Sequence, residues 1–179
     1  MDKEDVIYSQ IYRKYVDELF SYGIGLGFSE SKCMDAIHDI FCKIYTNKKE
    51  LDNVLNLKYY LFRSLKNRLI DIYKQENKVK FKEIEEYNFS IEVSVIDAII
   101  DEEERHILKN KVELLMQSLS NNQREAIYLR YMLEMDYDEI GKLLNINAES
   151  VRKLVYRGID KLRGQTSLDI AIVILLYFT

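Results

Sequence analysis

The stretch YDEIGKLLNINAESVRKLVYRGIDKLR, Tyr137 to Arg163, constrains the fold more than any other part of the chain. Tyr137, Ile140, Leu143 and Leu144 recur at helical spacing, and so do Val151, Leu154, Val155, Ile159 and Leu162. Only Asn-Ile-Asn separates the two runs. Asn145 tolerates the left-handed backbone of a sharp turn, and Asn147 suits the N-cap of the second helix. Gly141 weakens the first helix. A side chain there would point into the crossing helix, so its absence permits close approach. The pattern predicts a helix-turn-helix whose second helix is free to enter a major groove.

The outward face of that second helix agrees. At about 100° per residue, Val151, Leu154, Val155, Gly158 and Leu162 share one side. Arg152, Lys153, Tyr156, Arg157 and Arg163 fall on or beside the other, with Ser150 near the helix start. Glu149 and Asp160 dilute the charge. A solvated charged face would explain these residues alone; the turn before them favours DNA. The DNA-contact candidates are Asn147, Ser150, Arg152, Lys153, Tyr156 and Arg157.

A wholly helical chain is expected elsewhere too. No proline and only six glycines occur in 179 residues, and sheets with tight turns need both. Helices are predicted from Glu4 to Leu26, from Glu30 to Tyr45 with Ser29 as cap, from Leu57 to Gln75, and from Glu103 to Gln117. Ser120 with Gln123 three residues later forms a capping box that fixes another helix start. TNKKELDNV reads as a polar loop.

The net charge of −4 argues against a nucleic-acid partner until its distribution is considered. Residues 1–80 and 106–164 each balance at +2, while residues 81–105 balance at −7. This divides the chain into an N-terminal domain (1–80), an acidic linker (81–105), a C-terminal domain (106–164) and a hydrophobic tail (165–179). The linker's apolar residues, Phe89 among them, argue that part of it docks on something. The tail contains nine consecutive apolar residues, Ile170 to Phe178. A membrane span needs about twenty, so no membrane insertion is expected, and residues 168–178 should be buried.

The charged start MDKEDVIYSQ has no signal-peptide core. Two cysteines, Cys33 and Cys42, make neither a disulfide framework nor a four-ligand zinc site, which fits a reducing cytoplasmic setting. His38 could join them as a third ligand, but Cys33 lies about 140° from His38 around the helix. No metal and no cofactor is expected. No nucleophile–base pair, phosphate loop or carboxylate cluster suggests an enzyme.

Taken whole, LSNNQREAIYLRYMLEMDYDEIGKLLNINAESVRKLVYRGIDKLR resembles the C-terminal promoter-binding domain of bacterial RNA polymerase sigma factors. In the N-terminal half, MDAIHDIFCKIY and YLFRSLKNRLIDIYKQENK resemble two further helices of that family. Two domains and a short linker are the layout of the extracytoplasmic-function (ECF) group. His38, Tyr45 and Lys74 stand where the family has glutamine, tryptophan and arginine, and Gly141 where it has alanine.

The resemblance implies a promoter-specificity subunit. Core RNA polymerase and promoter DNA would be its partners, and an anti-sigma factor its regulator. It implies that Asp35, His38 and Asp39 meet the polymerase clamp and that the recognition helix, the second of the helix-turn-helix, reads the minus-thirty-five element. On the Leu57–Gln75 helix the residues themselves predict a buried stripe of Leu57, Leu61, Leu65, Leu69 and Ile72. Tyr59, Arg63, Lys66, Asn67 and Lys74 lie opposite. Cations there can track phosphates, rings can stack on unpaired bases, and an amide can bond a base edge. By resemblance this face and the TNKKELDNVLN loop hold the melted minus-ten strand. The residues alone leave two alternatives open: a solvated basic face on this helix, and a stand-alone helix-turn-helix repressor or activator.

Overall fold

A computed structural model describes residues 3–46, 56–77, 89–90, 110 and 112–165. The described residues are helices and connecting turns, with no strand among them. The chain divides into two compact units, Met1–Asn88 and Phe89–Thr179. The boundary falls inside the acidic segment. Most of the TNKKELDNV loop, most of the linker, the start of the Glu103–Gln117 helix and the C-terminal tail lie outside the described residues.

The first unit is a bundle of three helices: α1 (Lys3–Gly25), α2 (Glu30–Thr46) and α3 (Leu57–Asn77). The chain leaves α1 through Gly27, whose φ of 85° is open to glycine at no steric cost. Tyr15, Leu19, Tyr22 and Leu26 form the buried stripe of α1 and its exit. Much of the tyrosine content is used here. Tyr8 and Tyr12 set their rings edge-on to Phe41 at 5.8 and 4.9 Å, and Tyr22 lies 5.4 Å from Phe62. Such pairs add to the area they bury. Cys33, Ala36, Ile37, Ile40, Phe41 and Ile44 face this core from α2. Ion pairs Lys58–Glu18 (2.9 Å), Lys32–Glu76 (2.5 Å) and Arg68–Asp39 (2.6 Å) edge α3 on both sides.

The α3 stripe differs from the sequence expectation. Leu61, Leu65 and Leu69 are fully buried, but so is Phe62, and Leu57 and Ile72 are only half-buried. The helix packs against both α1 and α2, so its buried arc is wider than a single leucine row and is rotated towards Phe62. Lys66, one turn beyond Phe62, is carried into that arc and is only 7% exposed.

The second unit contains α4 (112–118), α5 (Asn121–Ile127), α6 (Tyr137–Leu144) and α7 (Ala148–Gln165). The Ser120 capping box forms as expected. Ser120 Oγ accepts from Gln123 N at 3.3 Å, and Gln123 Oε1 accepts from Ser120 N at 3.0 Å. A π-helical turn, Tyr128–Met132, extends α5. Val112, Met116 and Leu119 pack with Ile127 and Leu162, so the end of α7 closes on α4. Gly158 allows α7 to approach α5: a Cβ there would lie 2.7 Å from Ile127 Cδ1.

Candidate nucleic-acid interface

The turn between α6 and α7 answers why the chain weakens and then breaks its helix. Asp136 and Glu139 form a second capping box that starts α6, a signal present in DYDE but passed over in the sequence reading. Asn145 ends α6 in the left-handed region, at φ 55° and ψ 38°. Ile146 N then donates to Gly141 O at 2.9 Å, so the turn folds back over Gly141. A Cβ at position 141 would lie 2.7 Å from Ile146 O and 3.3 Å from Ala148 N. The close approach expected at this glycine is therefore present, and it is made by the backbone of the turn and of the first residue of α7. Asn147 caps α7 by accepting from Ser150 N at 2.7 Å.

On α7, Val151, Val155, Gly158 and Leu162 are buried, and Arg152, Lys153, Tyr156 and Arg157 are exposed. Tyr156 is 72% exposed, the most exposed of the large apolar side chains among the described residues. Ser150 is half-buried at the helix start. Lys153 pairs with Glu149 at 2.7 Å. The guanidinium groups of Arg152 and Arg130 lie 5.3 and 4.9 Å from the ring centre of Tyr137. Arg130, held by Met135 O at 2.9 Å, was not foreseen; it lies in LRYML, outside the helix whose face was analysed.

In the first unit, Asp35, His38 and Asp39 all lie on the exposed side of α2. Asp39 is engaged within the unit, by Arg68 of α3. Cys42 Sγ lies 3.3 Å from His38 Nε2. Cys33 is buried beneath Gly23, and burial pushes its thiol up to about 11. Cys33, His38 and Cys42 do not converge on a point.

The open face of α3 carries Tyr59, Arg63, Asn67 and Lys74. Arg63 Nη1 donates to the Tyr59 hydroxyl at 2.6 Å, and Lys74 lies 3.7 Å from Asp71. Lys66 is the exception. Its burial beside Phe62 removes it from this face and corrects the expectation that it would present a cation to a strand. Asn67 is exposed and lines a cleft of about 450 Å³ between α2 and α3, with Asp39, Lys43, Tyr60, Ser64 and Arg68.

Residues 109–162 match the family described as Sigma-70, region 4. The ECF RNA polymerase sigma factor SigM of Bacillus subtilis is 21% identical over 164 residues, covering 87% of this chain and 92% of that protein. The ECF RNA polymerase sigma factor SigW of the same organism is 23% identical over 168 residues, covering 88% of each. The sigma factor RpoE of Bartonella quintana, solved in complex with the anti-sigma factor NepR, superposes with a TM-score of 0.57 at 20% identity. That match covers 88% of this chain and 94% of the other. The second unit thus carries a Sigma-70 region 4 domain, and over most of its length the chain is similar to bacterial RNA polymerase sigma factors, proteins of transcription initiation. Both of the Bacillus subtilis relatives are ECF sigma factors, and the matches support that group for this chain. Among the described residues no helix is long and apolar enough to cross a membrane.

Proposed function

We propose that the two units read the two halves of a promoter while core RNA polymerase does the chemistry. The exposed basic and aromatic face of α7, set out by the capped turn, supports insertion into the major groove at the minus-thirty-five element. The α3 face of Tyr59, Arg63, Asn67 and Lys74 supports capture of the melted minus-ten strand. The cleft beside Asn67 is of a size to take a base swung out of the stack. Asp35 and His38, exposed on α2, support docking on the polymerase clamp, with Asp39 beside them. The protein works in the cytoplasm and requires no cofactor or metal. The complex of RpoE with NepR motivates an anti-sigma factor as regulator here.

The observation that carries this reading is the α7 face: four exposed side chains able to meet DNA on a helix whose other side is buried. Fluorescence anisotropy on a promoter duplex across a salt series, with the protein bound to core RNA polymerase, tests it. Arg152→Ala and Arg157→Ala should each weaken binding. A lost base contact costs about 1–3 kcal/mol at one base pair, whereas a lost phosphate contact weakens all sequences alike and flattens the salt dependence. Unchanged binding in both variants would reduce the motif to a structural hairpin.

A further inference from the structure

Arg124 is a charged residue inside the second unit, 7% exposed, and burial lowers its pKa from the ordinary arginine value. Its guanidinium is spent on backbone. Nε donates to Phe89 O at 2.6 Å, and Nη1 donates to Met116 O at 3.0 Å and Leu119 O at 3.1 Å, while Nη2 bonds Asn121 Oδ1. Phe89 is wholly buried, its ring edge-on to Tyr128 at 5.5 Å. A residue from the middle of the acidic segment is thus fixed to α5 by a side chain and by a charge-assisted hydrogen bond to its carbonyl.

This changes what counts as the connection between the units. Without the attachment, the chain joining α3 to α4 would run from Asn77 to Val112, a contour of about 120 Å at full extension. With Phe89 held, the connection runs only from Asn77 to Phe89, about 40 Å at most. The stretch from 91 to 109 then begins and ends on the same unit and adds nothing to the reach. We propose that Phe89 and Arg124 act as a clip that sets how far apart the two DNA-reading units can stand, and so the spacing between promoter elements that the protein accepts. The link to promoter spacing rests on the roles given to the units above; the clip itself does not.

The test uses the full chain with Cys33→Ser, labelled at the exposed Cys42 and at Gln117→Cys on α4. Distance distributions are measured by double electron–electron resonance. A Gly-Ser insert placed between 78 and 88 should move the distribution to longer distances, by up to about 3.5 Å per inserted residue. The same insert placed between 91 and 109 should leave it unmoved, and Phe89→Ala should make the chain respond to that second insert. Both inserts are made in the parent chain, so their comparison stands even where Phe89→Ala unfolds the unit. Equal shifts from the two inserts in the parent chain would overturn the clip. Run-off transcription with core polymerase, on a promoter selected with the parent chain and rebuilt with a series of spacer lengths, reads the consequence. The first insert should extend the accepted spacers and the second should not. Identical spacer profiles despite the expected distances would overturn the clip's part in promoter choice. Absence of promoter-dependent transcript from the parent chain would instead bring down the assigned roles.

Discussion

Single positions carry much of the architecture. Gly141 is the sharpest case, because the atom facing it is a backbone carbonyl that cannot rotate away. Gly141→Val should force the α6–α7 turn open and cost roughly 1–3 kcal/mol, as overpacking does elsewhere. Thermal unfolding checks this, and an unshifted transition would show that the turn can yield. Cys33 gives a second test. Its folded-state pKa is raised from 9.0 to about 11, so the native protein keeps a proton that the unfolded chain gives up. The stability tied to that proton is complete below pH 9 and is lost as pH rises towards 11. That part of the alkaline slope should be missing from a Cys33→Ala chain. In the native protein at neutral pH, iodoacetamide should modify the exposed Cys42 and reach Cys33 only on unfolding. Mass spectrometry of the alkylated peptides would show the reverse order if Cys33 were accessible.

At the scale of elements, the sequence was most legible where a local rule acts alone. The Ser120 capping box, the left-handed Asn145 and the inner and outer faces of α7 follow from short-range geometry, and each forms as read. It was least legible where two neighbours share one helix. The leucine row of α3 suggested a single contact face, but Phe62 brings a second, and the helix turns to satisfy both α1 and α2. Lys66 changes sides as a result, and nothing in its own neighbourhood signals that. Arg124 was hidden for a similar reason, since its partner Phe89 lies 35 residues away in sequence. The correction on α3 yields a prediction that separates two adjacent residues. Lys66→Ala should destabilise the first unit, by about 1–3 kcal/mol for the lost stem packing. Asn67→Ala, on the exposed side, should leave stability unchanged and lower open-complex formation several-fold. Permanganate footprinting and thermal melts on both variants decide. Equal thymine reactivity in the promoter bubble of Asn67→Ala and the parent would remove Asn67 from the strand-holding face.

For the whole molecule, the net charge of −4 conceals the property that matters. Negative charge is gathered in residues 81–105, between two stretches that each balance at +2, so long-range attraction of the free protein for DNA is weak. On the proposed function, specific binding depends on polymerase holding both units on one promoter. The stand-alone regulator that the residues also allowed would behave differently, binding its site tightly with no second protein. Run-off transcription with purified core RNA polymerase and genomic promoter fragments separates the two most directly. The account predicts discrete transcripts that appear only when the protein and core enzyme are both present, with start points preceded by one shared pair of promoter elements. Background transcription indistinguishable from core enzyme alone, together with tight binding of the protein to a palindromic duplex, would contradict it.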